Sequence, residues 1–230
     1  MYGSWVVIIL IIISSIPVIA VYVWFRIAKY QFSLVWLLFA LLAGAAAFFP
    51  ALILQNFLNF RLFSGARMEL FYQIFIRIAF TEELSRLLML IVFFLISERA
   101  ARDTDRSLFW ADIRKGTAAG LVAGLGFAIL ENAVYAASDM GIILLRMVTA
   151  APLHAACGSR VGAAAVLLRT NPVQAILRLL TATAIHGVYN FMVTIPGLPS
   201  LIAILIAFSA LFTSIMIIRK PVQPAEQNNP

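Results

Sequence analysis

Residues 69–97 read ELFYQIFIRIAFTEELSRLLMLIVFFLIS, an apolar run that is interrupted near its centre by Glu82, Glu83 and Arg86. The run is longer than the ~20 residues that a helix needs to cross a bilayer, so it predicts a membrane-spanning helix. An ionised side chain at mid-bilayer costs roughly 2.5–3.5 kcal/mol on insertion scales, and such groups usually have a function. The two adjacent carboxylates therefore mark a candidate reaction centre inside a membrane helix.

The composition of the whole chain supports a membrane protein. The 230 residues are 63% hydrophobic and only 12% charged, with a mean hydropathy of +0.99. A soluble domain is about 45–50% apolar, so this chain has too few polar side chains to cover a soluble surface. The net charge of +7 comes mostly from Lys and Arg between apolar runs. Basic residues there orient helices in the membrane, so we expect no nucleic-acid partner.

Seven apolar segments predict the fold. Each is compatible with a spanning helix, and together they predict an all-α polytopic helix bundle with about seven transmembrane helices. We expect residues 1–218 to form a single domain and 219–230 a short polar tail, while 56–68 can form an interfacial helix. The first segment lacks a basic signal-peptide region before it and is expected to remain as a helix. The segments are 5–25, 33–55, 69–97, 115–137, 142–168, 174–194 and 198–218.

The loop charges predict the orientation. Alternate loops divide the Lys and Arg residues eleven to three, the smaller group being Arg61, Arg67 and Arg146. This asymmetry predicts an external N-terminus and a cytoplasmic C-terminus. At 1.5 Å per helical residue, the intramembrane polar groups then fall in one layer roughly 9–18 Å below the outer surface. This polar layer consists of Glu82, Glu83, Glu131, His154 and His186.

The first carboxylate motif can supply both a base and a fixed charge. Residues three or four apart share a helix face, so Arg86 can contact both Glu82 and Glu83. The two glutamates point about 100° apart and therefore meet different surroundings. One can be held ionised while the other is the base. The alternative is a buried Glu–Arg ion pair that only stabilises helix packing.

Later helices supply the other candidates. Glu131 can bind a metal, orient a histidine or tune the first glutamate pair; alternatively, it pairs with Arg160 or Arg77. His154 precedes Gly158 and Gly162 on one helix face, which suits close packing.

His186 and Asn190 are four residues apart and can face one cavity, where both can donate to an oxyanion. Either histidine can instead be a hydrogen-bonded core residue. A zinc site that combines His154 and His186 with a glutamate such as Glu131 is a further alternative, since ligands can come from different helices. The lone cysteine, Cys157, is expected to be a buried structural residue.

The motifs together resemble the PrsW family of intramembrane proteases, within the superfamily of CAAX prenyl endopeptidases and bacteriocin-processing relatives. The matching elements are Glu82-Glu83-x-x-Arg86, Phe127-x-x-x-Glu131-Asn132, His154 in its small-residue helix and His186-x-x-x-Asn190. PrsW-like sequences often carry lysine where Arg86 stands. CAAX endopeptidases typically carry histidine where Glu131 stands, which argues against a prenyl-protein substrate.

The resemblance implies proteolysis of a membrane-anchored protein, such as an anti-sigma-factor-like regulator, in a bacterial cytoplasmic membrane. Such families have been described both as glutamic and as metal-dependent. Our leading interpretation needs no cofactor: Glu82 or Glu83 activates a water, Arg86 holds the pair, and His186 with Asn190 stabilises the oxyanion. Glu131 and His154 complete the polar cavity.

Three kinds of alternative stay open beside this interpretation. Within proteolysis, the chain can be a zinc-dependent peptidase or a CAAX-type processing peptidase. In other classes, a proton-coupled transporter also uses intramembrane carboxylates and histidines, but more often shows internal repeats and broken helices. A non-enzymatic scaffold is the third alternative. The oligomeric state does not follow from the sequence.

Overall fold

Helices follow the apolar segments of the sequence closely. The computed structural model describes residues 4–30, 32–100, 112–136, 140–194 and 200–219, and no strand occurs among them. The helices are α1 (Ser4–Ser14), α2 (Ile16–Ile27), α3 (Leu34–Phe57), α4 (Ala66–Phe71), a π-helix (Tyr72–Phe80), α5 (Thr81–Ala100), α6 (Ile113–Ala136), α7 (Met140–Leu167), α8 (Pro172–Thr194) and α9 (Ser200–Arg219).

The first predicted segment, 5–25, contains a break. Ser15 separates α1 from α2, and its hydroxyl donates to the carbonyl of Ile11 at 2.8 Å. Pro17 stands in the first turn of α2. A proline has no N–H to donate and its ring clashes with the preceding turn, so it is tolerated at a helix start rather than inside one. The segment is therefore two short helices.

The third predicted segment, 69–97, is helical throughout, but its geometry changes just before the acidic motif. The chain passes from α4 through the nine-residue π-helix into α5 without a gap. The hydroxyl of Thr81 donates to the carbonyls of Arg77 at 2.6 Å and Ile78 at 3.0 Å, across the junction. π-Helical turns are rare and are frequent at functional sites. Here the π-helix sets the rotation of α5 about its axis, and thereby the direction in which the side chain of Glu82 points.

The connection between α3 and α4 differs from the expected interfacial helix over 56–68. Residues 58–65 are not helical, while α3 continues to Phe57. The carboxylate of Glu69 accepts hydrogen bonds from the backbone N–H groups of Leu62 and Phe63, both at 3.0 Å. These bonds satisfy backbone donors and hold the connection as a compact loop.

The centre of the bundle is α6, which packs most extensively against α7 and then against α3. Glycines make the crossing of α6 and α7 close: a Cβ on Gly120 would overlap the carbonyl oxygen of Gly158, and one on Gly124 would overlap that of His154. Small residues allow two membrane helices to approach this closely. The backbone of α7 at His154 is therefore placed directly against α6.

Within the described residues, four helices are long and apolar enough to cross a membrane: Leu34–Phe57, Ile113–Tyr135, Pro172–Thr194 and Leu201–Arg219. Many outward-facing side chains are large and apolar, including Ile53, Leu177 and Phe212, as lipid contact requires. The chain is thus an all-α, polytopic integral membrane helix bundle. Of the predicted polar tail, 219–230, all but Arg219 lies outside the described residues, as do Arg102, Arg106 and Lys220 of the loop-charge count.

Candidate active site

Polar side chains from four helices meet inside the bundle. Glu82, Glu83 and Arg86 lie on α5, and they are respectively 4%, 0% and 0% exposed. His154 of α7 and His186 of α8 are each 1% exposed. Glu131 of α6 joins them from the edge, with 14% of its side chain exposed. The five residues that the sequence placed in one polar layer therefore form one cluster together with Arg86.

Glu83 is paired on both sides. Its Oε1 lies 2.5 Å from Nη2 of Arg86 and 2.7 Å from Nδ1 of His186. Because a carboxylate is the acceptor, Nδ1 of His186 carries the hydrogen. The pairing fixes the rotation of the imidazole and leaves its Nε2 available for another partner.

Glu82 is held differently, as its different helical direction predicts. Its Oε1 accepts a hydrogen bond from Nε2 of Gln55, on α3, at 3.1 Å. Its Oε2 lies 3.7 Å from Nε2 of His186 and 3.8 Å from Nη2 of Arg86, and it is buried without a hydrogen-bond partner among the described residues. Arg86 thus lies between the two carboxylates but binds Glu83 much more closely.

Arg86 also connects α5 to the two central helices. Its Nη1 donates to the carbonyl of His154 at 3.4 Å, and its guanidinium lies over the ring of Phe127, 4.7 Å from the centroid. A cation over an aromatic face gains electrostatic stabilisation, more so when both are desolvated. Arg86 therefore contributes to the packing of α5 against α6 and α7 as well as to the acidic pair.

A second carboxylate–histidine pair repeats the first. Nε2 of His154 lies 2.6 Å from Oε2 of Glu131. The same oxygen accepts from Nη2 of Arg146 at 2.7 Å, and Nε of Arg146 donates to the side-chain oxygen of Asn132 at 2.8 Å. Arg146 also lies over the ring of Tyr135, 3.9 Å from the centroid. Glu131 pairs with neither Arg160 nor Arg77, the two arginines that the sequence suggested. Its ion-pair partner is Arg146, which we had assigned to a loop.

The remaining nitrogens of the two histidines and the free oxygen of Glu82 form a set of donor atoms. The two imidazole rings are 5.2 Å apart between centroids and nearly perpendicular. Nδ1 of His154 is buried without a hydrogen-bond partner among the described residues. One nitrogen or oxygen from each of Glu82, His154 and His186 lies within 4.8 Å of the others.

This donor set fits a divalent metal. Two imidazole nitrogens and one carboxylate oxygen form a familiar zinc ligand set, and metal-binding histidines usually donate their other N–H to a carboxylate. Glu83 and Glu131 stand in that supporting position here. These three candidate metal ligands differ in one residue from the set suggested by the sequence, which was His154, His186 and Glu131. Glu82, rather than Glu131, lies with the two histidines, because Glu131 approaches His154 from the opposite ring nitrogen.

Asn190 is the one predicted site residue outside this network. It lies one helical turn after His186 on α8 and is half-buried. Within the described residues, no hydrogen bond joins its amide to the clustered groups. Cys157 is fully buried, as expected, and its sulfur donates to the carbonyl of Ala182 at 3.5 Å.

Sequence reasoning missed two residues of the network, Gln55 and Arg146. Gln55 is the last residue of the predicted segment 33–55, and Arg146 lies just inside 142–168. Both are polar side chains at the end of an apolar run, where a position at the membrane surface is the ordinary explanation. That each reaches a glutamate on another helix depends on how the helices cross.

Comparison with known proteins identifies the family of the chain. The family model described as PrsW family intramembrane metalloprotease matches residues 33–217. No curated protein and no solved structure gives a significant match to the chain. The matched range covers most of the chain and includes every residue of the cluster as well as Gln55 and Arg146. The chain therefore belongs to the PrsW family of intramembrane metalloproteases, and it is an intramembrane peptidase whose substrates are membrane proteins.

Proposed function

We propose that the chain hydrolyses a peptide bond of a membrane-anchored protein, of the anti-sigma-factor kind, at the cluster around Glu82, His154 and His186. The observation that carries the proposal is the pair of buried carboxylate–histidine contacts, Glu83 with His186 and Glu131 with His154, beside a buried oxygen of Glu82 that has no hydrogen-bond partner among the described residues. A structural ion pair between α5 and its neighbours would need only one carboxylate. A reaction centre explains why three are gathered.

Glu82, His154 and His186 would hold a divalent metal, and zinc suits this ligand set. A bound zinc ion supplies Lewis acidity and makes a water nucleophilic at neutral pH. Glu83 and Glu131 keep each histidine in the tautomer whose lone pair faces the centre. Gln55 holds one oxygen of Glu82 and thereby leaves the other for the centre.

The chain's own groups also handle the proton and the developing charge. Oε2 of Glu83 is buried without a partner among the described residues, so it can accept a proton from the attacking water. Arg86 compensates the charge of Glu83 while that oxygen is free. Asn190, one turn after His186 on α8, would donate its amide to the oxyanion.

The proposal is tested with purified protein and a single-span reporter substrate. We expect Glu82→Gln, His154→Gln and His186→Gln to abolish cleavage and to lose bound zinc, measured by elemental mass spectrometry. Glu83→Gln should keep zinc but lose turnover by a factor of about 10²–10⁴, the usual contribution of a general base. Glu69→Gln, a carboxylate outside the cluster, is the control and should retain both.

Full cleavage by Glu82→Gln or by His186→Gln would overturn the assignment. Active protein without metal, with cleavage that resists chelators, would instead favour the metal-free mechanism in which a glutamate alone activates the water. Uptake of a solute into proteoliposomes driven by a pH gradient, without cleavage, would favour a transporter.

We further propose a bacterial cytoplasmic membrane location, which rests on the family, and an external N-terminus, which rests on the loop charges.

A further inference from the structure

A second polar cluster lies apart from the active site, between α7, α8 and α9. Arg160 of α7 reaches across to α9, where its Nη2 donates to the hydroxyl of Thr213 at 2.7 Å. Its Nη1 donates to the carbonyls of Ala156 at 2.8 Å and Ala210 at 3.2 Å, and to the hydroxyl of Ser214 at 3.2 Å. All of these acceptors are neutral. The hydrogen bonds place the guanidinium but do not balance its charge.

Arg178 of α8 adds a second positive charge to this cluster. It is half-buried and close enough for its charge to repel that of Arg160. Its Nε is buried and has no hydrogen-bond partner among the described residues. In the part of the chain that the structure describes, neither arginine is paired with a carboxylate. Two arginines near each other in an apolar setting are unfavourable unless an anion joins them.

The depth of the cluster indicates which anion can reach it. Arg160 stands seven residues before the end of α7 at Leu167, Arg178 six after Pro172, and Thr213 six before Arg219. At 1.5 Å per residue these positions lie roughly 9–11 Å from the helix ends. The short turn from α7 to α8 and the end of α9 lie at one membrane surface, because α8 and α9 each cross once. The hydrogen bonds of Arg160 hold its guanidinium near this depth, whereas Arg178, which makes no hydrogen bond to the described residues, can extend toward the headgroups.

We propose that Arg160 and Arg178 bind the phosphate of an anionic phospholipid between α7, α8 and α9, while the Thr213 hydroxyl, which donates to the carbonyl of Ala210 at 2.8 Å, holds the Arg160 guanidinium. A phosphate accepts charge-assisted hydrogen bonds from guanidinium groups and would remove the repulsion between the two arginines. The exposed apolar side chains beside them, Leu177 and Phe212, would contact the acyl chains. An anionic lipid of the cytoplasmic leaflet would then connect α7, which carries His154, and α8, which carries His186, to α9.

The test is native mass spectrometry of the full chain titrated with phosphatidylglycerol or phosphatidylcholine. We expect the first phosphatidylglycerol to bind about tenfold more weakly to Arg178→Gln, the effect of losing one charge-assisted contact. Arg178 makes no hydrogen bond to the described residues, so this substitution should not prevent folding, and the circular dichroism spectrum should match the wild type. Arg178→Lys keeps the charge and should bind better than Arg178→Gln.

The matched control is Arg26→Gln, which removes one exposed charge from the last turn of α2 at the same membrane surface. It should bind phosphatidylglycerol like the wild type, and phosphatidylcholine should bind more weakly than phosphatidylglycerol. Equal affinity of wild type and Arg178→Gln for phosphatidylglycerol would overturn the proposal. So would full displacement of the lipid by millimolar inorganic phosphate, which would show that the site takes a free anion instead.

Discussion

At the scale of single residues, Arg86 explains how two adjacent carboxylates are tolerated in the bundle. It is fully buried, contacts Glu83 at 2.5 Å, and lies over the ring of Phe127. Removing one member of a buried ion pair usually costs about 3–5 kcal/mol, because the other charge is left without compensation. Family members with lysine at this position would keep the charge but lose the planar contact with the ring and the second hydrogen-bonding arm.

Gln55 is predicted to position Glu82. In Gln55→Leu, the hydrogen bond at 3.1 Å to Oε1 is lost, so the carboxylate can rotate away from the histidines. Loss of such a supporting contact typically costs about 10–100-fold in metal affinity or activity. We expect a loss of that size in zinc affinity, measured by competition with a chromogenic chelator, and in reporter cleavage.

Asn56→Leu is the control for Gln55, because Asn56 is the next residue of α3 and is exposed. Its zinc affinity and turnover should equal those of the wild type. A Gln55→Leu enzyme that binds zinc and cleaves normally would refute the positioning role.

Arg146 is predicted to act on His154 through Glu131. Arg146→Met removes the contacts at 2.7 Å to Glu131 and 2.8 Å to Asn132, so Glu131 is no longer fixed against His154. We expect about a 10–100-fold loss of zinc affinity, with the protein still folded. Arg146→Lys should be intermediate, because an ammonium can hold Glu131 but cannot also bridge to Asn132.

Arg169→Met provides the comparison for Arg146. Arg169 is half-exposed and its carboxylate contact, to Glu98, is at 3.6 Å, and surface pairs of this kind contribute little. Wild-type zinc affinity in Arg146→Met together with normal cleavage would exclude the relay from Arg146 to His154.

At the scale of helices, the crossing of α6 and α7 decides where His154 stands. Gly124 lies against the carbonyl of His154, and Gly120 lies against that of Gly158. These contacts are between backbones, which cannot move aside as a flexible side chain can. The π-helix before α5 has the same role for the other half of the site, since it sets the direction of Glu82 and Glu83 relative to α8.

Gly124→Ala is predicted to destabilise the bundle and to displace His154. The new Cβ would overlap the carbonyl oxygen of His154, so α7 must shift away from α6, and overpacking of this kind costs about 1–3 kcal/mol. The measurements are the thermal unfolding midpoint in detergent and the zinc affinity, and both should fall. Gly65→Ala has no atom within 4 Å of the new Cβ and should change neither. Unchanged stability in Gly124→Ala would mean that the two helices are less closely packed than described.

At the scale of the whole molecule, the order of the crossings assigns each connection to one membrane surface. With the seven crossings that the sequence predicts, the turn from α2 to α3, the turn from α7 to α8 and the end of α9 would share one surface, and the loop from α3 to α4 would lie at the other. Positive charges are concentrated on the first of these surfaces, which favours its being cytoplasmic.

This orientation predicts the labelling of single cysteines in intact cells. In a Cys157→Ala background, Ser64→Cys in the loop from α3 to α4 should react with a membrane-impermeant maleimide from outside. Thr170→Cys in the turn from α7 to α8 should react only after permeabilisation. In the chain without these substitutions, the buried Cys157 should label in neither state. The reverse pattern would invert the proposed topology.

Much of the architecture could be predicted from local sequence. Hydropathy over about twenty residues is enough to mark a spanning helix, and the seven apolar segments coincide with helical stretches to within a few residues. The break at Ser15 was missed, because a single proline interrupts a run that stays apolar on both sides. The polar layer was predicted because a charged group in an apolar run is costly wherever the helix is placed.

The sequence by itself therefore determined the all-α membrane fold and the candidates Glu82, Glu83, Arg86, Glu131, His154 and His186. Only the tertiary structure decided that Glu82 lies with the two histidines, that Glu83 and Glu131 each support one of them, and that Gln55 and Arg146 take part. The physical reason is one of range. Hydropathy and helical periodicity depend on neighbours along the chain, whereas the partner of each ring nitrogen depends on how separate helices rotate and cross.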